Sequence, residues 1–98
     1  EEEGMLKQAT EKGAWLKAEV ERVRSEYPEI KEIRGYGLMI GIELTIESKP
    51  VVTTMMEHGV LANATAGNVI RLVPPLNIPM EDLKTVFEVM LKSIKANR

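Results

Sequence analysis

A two-layer α+β fold, with helices covering one small and mainly antiparallel sheet, is what three features of the sequence predict. Apolar residues recur at helical spacing up to Tyr27, and again from Leu83 to Ile94. Between them lie short β-rich runs that alternate apolar and polar residues and are joined by glycine-bearing turns. The element order reads α-β-β-α-β-β-α, and helix faces of this kind need a sheet to cover. Residues 1–98 form one domain, close to the lower end of independently stable cores.

The opening stripe is Leu6, Ala9, Gly13, Leu16, Val20, Val23 and Tyr27, with Glu, Lys and Arg on the other faces. Pro28 disfavours the α region for the residue before it, so the helix is expected to end at Tyr27. Trp15 lies off this stripe, and is either packed on something outside these 98 residues or a single surface hydrophobe. Ile30 to Arg34 reads as a strand, Gly35-Tyr36-Gly37 as a turn, and Leu38 to Leu44 as a second strand in an antiparallel hairpin. Leu38, Ile40, Ile42 and Leu44 share one face, with Gly41 and Glu43 on the other. Ser48 is placed to cap a short helix with Pro50 in its first turn, and Gly59 suits its C-terminal left-handed position. Val60 to Asn63 and Val69 to Val73 read as the last strands, around a turn at Ala66-Gly67-Asn68. Pro79 opens a closing helix, with Glu81 and Asp82 early and Lys92 and Lys95 late, as the helix dipole favours.

Composition narrows the function classes. Apolar residues make up 44% and charged residues 29%, an ordinary globular balance. The formal charge is −2 and the basic residues are dispersed, which argues against a nucleic-acid surface. No apolar run approaches the roughly 20 residues of a membrane-spanning helix. The absence of cysteine excludes a disulfide scaffold and a thiolate metal site, and fits a reducing cytoplasm. A start at Glu1 directly into a charged helical segment is expected of a piece of a longer protein.

Few side chains have the company that chemistry needs. The single histidine, His58, stands before Gly59 and is read as a helix-terminal residue bonding the last carbonyls. Ser48 and Ser93 have no neighbouring base, and Met55, Met56 and Met90 read as core filler. Gly35-Tyr36-Gly37 fails as a dinucleotide fingerprint, because the third glycine position, 40, is isoleucine and the pair precedes a strand. The sequence therefore predicts neither a catalytic residue nor a metal ligand. Arg71 is different, because its guanidinium interrupts the apolar run Val69-Ile70-Arg71-Leu72-Val73 just before Pro74-Pro75-Leu76. It is either an edge-strand arginine meeting water or a carboxylate such as Glu43, or a planar fork that holds a substrate carboxylate.

The segments from Ile33 to Leu44 (Ile33-Arg34-Gly35-Tyr36-Gly37-Leu38-Met39-Ile40-Gly41-Ile42-Glu43-Leu44) and from Gly59 to Leu76 carry a resemblance. With their Arg-Gly-x-Gly-Leu-Met and Ile-Arg-Leu-x-Pro-Pro-Leu stretches, they resemble the C-terminal small domain of the acetylornithine aminotransferases, class III enzymes of fold type I dependent on pyridoxal phosphate. The resemblance spans essentially the whole chain, and Asn63-Ala64-Thr65-Ala66-Gly67-Asn68 is most like the acetylornithine branch. It implies that Arg71 holds the α-carboxylate of glutamate and 2-oxoglutarate, and that Gly35 and Gly37 form a structural turn near the active-site mouth. It also implies a large domain, outside these residues, that carries the cofactor lysine, the acidic partner of the pyridine nitrogen and the phosphate loop. Lys31, Lys49 and Lys84 match none of these motifs. The implied parent is a cytoplasmic homodimer in arginine biosynthesis, passing an amino group from N2-acetylornithine to 2-oxoglutarate. By this reading the 98-residue chain alone binds no pyridoxal phosphate and is inactive. Succinylornithine, succinyldiaminopimelate and ornithine aminotransferases are alternatives within the resemblance. Outside it stand a free-standing amino-acid-binding regulatory module and a purely structural or oligomerising domain.

Overall fold

A computed structural model describes residues 2–36, 39–72 and 78–98. The elements run α1 (Glu2–Val23), β1 (Ile30–Tyr36), β2 (Met39–Leu44), α2 (Ser48–Glu57), β3 (Asn63–Thr65), β4 (Val69–Leu72) and α3 (Met80–Ala96). They form a two-layer α+β domain. The expectations for Gly37, Leu38, Val73, Pro74, Pro75 and Leu76, and for the side chain of Leu6, lie outside the described residues.

The four strands make one antiparallel sheet in the order β1-β2-β4-β3. Period-two alternation sorts the side chains cleanly. Ile40, Ile42 and Leu44 of β2 and Ile70 and Leu72 of β4 are buried. They share one apolar cluster with Leu16 and Val20 of α1, Val51 and Met55 of α2, and Leu83, Phe87, Met90 and Ile94 of α3. Helices thus occupy one side of the sheet, and the opposite face carries Arg34, Met39, Gly41, Glu43, Val69 and Arg71. Among the described residues, no helix is long and apolar enough to cross a membrane.

Several boundaries differ from expectation. The first helix ends at Val23 rather than Tyr27, and Tyr27 instead donates its N–H to the Val23 and Arg24 carbonyls in a turn. Arg98 holds that turn: its guanidinium lies 5.4 Å from the Tyr27 ring centre and bonds Glu26 O and Glu29 Oε2 at 2.8 Å. Gly35 and Tyr36 belong to β1, paired with Ile40 and Met39, so the turn begins later than Gly35. Ser48 is the first helical residue and not the cap. Its N–H donates to Gly67 O at 3.0 Å, and its hydroxyl is buried without a hydrogen-bond partner among the described residues. The third strand starts at Asn63 instead of Val60, because the Val60 N–H wraps back to Met55 O at 2.9 Å behind a left-handed Gly59. Met56 is 53% exposed and is no part of the core, unlike Met55 and Met90. His58 caps α2 as expected, its Nδ1–H donating to Thr54 O at 2.9 Å. Trp15 is neither a lone surface hydrophobe nor in need of a partner outside these residues: it packs edge-on against Phe87 of α3, 5.9 Å between ring centres.

Two lysines of α1 tie it to other segments: Lys17 Nζ donates to Gly35 O of β1 at 2.6 Å, and Lys12 Nζ donates to Ile78 O just before α3. Gly35 itself has φ +147°, and a Cβ there would stand 1.9 Å from the Met39 carbonyl oxygen. Gly67 has φ +79° but open space around it. Gly35→Ala is therefore expected to cost about 3 kcal/mol, against about 1 kcal/mol for Gly67→Ala. Urea unfolding of the two variants checks this order; equal losses would contradict it.

Candidate functional site

The open face of the sheet is built in cross-strand rows. Gly41 of β2 pairs with Arg34 of β1 on one side and Arg71 of β4 on the other, and Arg71 pairs in turn with Asn63 of β3. One row thus reads Arg34, Gly41, Arg71, Asn63 across all four strands. With neighbouring strands about 4.8 Å apart, the two arginine backbones stand about 10 Å from each other. Glycine between them leaves a gap. The gap is the floor of a groove of about 420 Å³ that Arg34, Met39, Thr65, Val69 and Arg71 surround. Met39, 61% exposed, gives it one apolar wall.

Arg71 stands on an interior strand, since β3 and not β4 forms that edge of the sheet. The edge-strand reading of Arg71 is thereby corrected. Pairing with Glu43 is corrected too: Glu43 Oε1 accepts from Arg34 Nη2 at 2.7 Å, with Lys31 Nζ 3.7 Å from Oε2. Among the described residues Arg71 has no ion pair and no side-chain hydrogen bond. It is an exposed fork, and it also borders a second depression of about 340 Å³ beside Met56, Leu61 and Asn63. Leu61 there is 82% exposed. A guanidinium with its donors uncommitted, above an apolar floor, can bind a planar carboxylate by two parallel hydrogen bonds.

The other marked cleft, about 360 Å³ between α1 and α3, lies by Trp15 and Phe87. Two of its charges are paired with each other: Arg22 bonds Glu19 at 2.8 Å and holds that carboxyl below its ordinary range. Among the described residues no group of His, Cys, Asp or Glu could hold a metal ion.

Gly35 lies in the groove wall with Arg71, whereas Gly37 is outside the described residues. The sequence reading missed Arg34, Met39 and Gly41 as parts of the site. Alternation did place Gly41 and Glu43 on the open face, and Arg34 immediately precedes the glycine that the hairpin requires. What it lacked was the register that sets Arg34 and Arg71 opposite the same glycine.

The aminotransferase class-III family model matches residues 1–94. The chain is 40% identical over 95 residues to acetylornithine aminotransferase 1 of Bordetella parapertussis, covering 97% of this chain and 24% of that protein. It is 42% identical over 88 residues to ornithine aminotransferase of Bacillus subtilis, covering 90% of this chain and 21% of that protein. Among solved structures, acetylornithine aminotransferase from Elizabethkingia anophelis superposes with a TM-score of 0.86 at 30% identity, over 97% of this chain and 25% of that one. Ornithine aminotransferase from Toxoplasma gondii gives 0.85 at 33%, over 97% and 24%. The chain therefore spans about a quarter of the length of these relatives. Both substrate branches match comparably, so likeness does not separate them.

A Cβ on Gly41 would meet Val69 Cγ1 at 3.7 Å and the Arg34 carbonyl oxygen at 3.9 Å, ordinary contacts. Gly41→Ala is expected to leave the fold intact and to stabilise it by about 0.5 kcal/mol, the usual gain over a strand glycine. Chemical denaturation measures this; a loss of stability would show that the gap has a packing role.

Proposed function

The chain belongs to the class-III aminotransferase family, and from that premise we propose that residues 1–98 are the C-terminal small domain of a longer pyridoxal-phosphate-dependent aminotransferase. In this reading the domain binds substrate and its large-domain partner holds the cofactor. The observation that carries it is Arg71, a guanidinium without an ion pair among the described residues, over a groove on the uncovered sheet face. Arg71 grips the α-carboxylate of glutamate and 2-oxoglutarate, and Met39, Gly41 and Val69 lie along the aliphatic part. Such a grip fixes orientation and transfers no proton, so its contribution is positioning.

Pyridoxal phosphate supplies the electron sink by which an amino group is exchanged. Among the described residues the groove is lined by arginine and no lysine, so these residues do not fit the cofactor itself, and the 98-residue chain alone is proposed to lack transaminase activity. For the parent reaction we favour N2-acetylornithine with 2-oxoglutarate, on the Asn63-Ala64-Thr65-Ala66-Gly67-Asn68 segment, whose residues Asn63 to Thr65 form the strand beside Arg71. The 42% identity to an ornithine aminotransferase supports ornithine as the second donor to test.

In the full-length enzyme, Arg71→Lys is expected to raise KM for 2-oxoglutarate and glutamate by roughly tenfold or more, because lysine cannot form the two-pronged contact. The cofactor's visible absorption should be unchanged. Steady-state kinetics with both co-substrates provide the check, and unaltered 2-oxoglutarate kinetics would remove Arg71 from the site. Comparing N2-acetylornithine with ornithine as donors in the same assay assigns the branch.

A further inference from the structure

Glu43 stands where it could silence the clamp. Gly41 pairs with both Arg34 and Arg71, and Glu43 is two residues further along the same face of β2. Both arginines are therefore its diagonal cross-strand neighbours, a separation that long side chains bridge. The register is symmetric, yet the charges are not. Glu43, with its side chain 20% exposed, gives Oε1 to Arg34 at 2.7 Å and turns Oε2 towards Lys31 at 3.7 Å. Arg34 also lies 3.8 Å from Glu32, which pairs directly across from Glu43. The Arg34 and Lys31 contacts draw the Glu43 carboxylate towards β1, against the like charge of Glu32, which shares Arg34 with it. Arg71, on the β4 side, is left with no ionic partner among the described residues.

We infer that Arg34 is a positioning residue that holds Glu43 away from Arg71 and so keeps the clamp open to a substrate carboxylate. Without Arg34, the remaining guanidinium within reach of Glu43 is Arg71, and Lys31 offers only a flexible point charge. A tethered carboxylate competes with a dissolved one at high effective concentration, so an internal Glu43–Arg71 pair acts as a built-in inhibitor of carboxylate binding. The inference rests on the reading of Arg71 given above.

The test is kinetic, in the full-length enzyme, with 2-oxoglutarate as the varied substrate. Arg34→Gln is expected to raise its KM several-fold, up to about fivefold, the scale of an exposed ion pair, with kcat at saturation little changed. Arg34→Lys should raise it less. Glu43→Gln alone should leave KM at or below its starting value, and Arg34→Gln with Glu43→Gln should restore it. A purely structural role for Arg34 predicts no such rescue. Failure of the double variant to restore KM, or a raised KM in Glu43→Gln, would overturn the inference; the latter holds even if Arg34→Gln does not fold. Arg71→Lys, run in parallel, separates the two claims. If it raises KM while Arg34→Gln does not, the clamp stands and the positioning role falls. If it has no effect, the clamp reading itself falls.

Discussion

Helices on one side only of a four-stranded antiparallel sheet leave every second strand residue facing away from the core. This one-sided coverage governs the rest of the molecule. It sends Ile40, Ile42, Leu44, Ile70 and Leu72 inward, where they meet all three helices. By the same alternation it turns Arg34, Gly41, Glu43 and Arg71 outward. A charged guanidinium can occupy an interior strand of so small a domain because this face is not packed. The missing side chain of Gly41 then converts a flat sheet surface into a groove with an arginine on each flank.

The electrostatics of that face are uneven in a useful way. Arg34 is compensated by Glu43 and Glu32, and Arg71 is compensated by neither. The face therefore presents one neutralised guanidinium and one with no ion pair among the described residues, and the proposed carboxylate site follows from that difference. Support comes from behind, where Lys17 bonds the Gly35 carbonyl and ties α1 to the end of β1. Gly35 must be glycine there because the Met39 carbonyl occupies the space a Cβ would need.

Much of this architecture was legible from local patterns. The alternation Ile40-Gly41-Ile42-Glu43-Leu44 and the apolar face of Leu83, Phe87, Met90 and Ile94 specify elements whose partners need not be known. Features that depend on distant residues were not legible. Arg71 looked like an edge residue because nothing local says that Asn63–Thr65 pairs outside it. Ser48 looked like a cap, but its N–H is taken by Gly67, and Trp15 found its place only once Phe87 was positioned. The chosen partner of Glu43 depends on a register shared by β1, β2 and β4. The Ile70-Arg71-Leu72 motif singled out the arginine now proposed as the clamp, and the tertiary pairing supplied its surroundings.

The proposed role of Arg71 meets its most direct test in a crystal structure of the full-length enzyme with 2-oxoglutarate or a non-reacting dicarboxylate analogue bound. A clamp predicts two Arg71 guanidinium nitrogens about 2.8 Å from the two oxygens of one carboxylate, with Glu43 still on Arg34. A ligand whose carboxylates are held by other residues, with Arg71 in water or on Glu43, would contradict it.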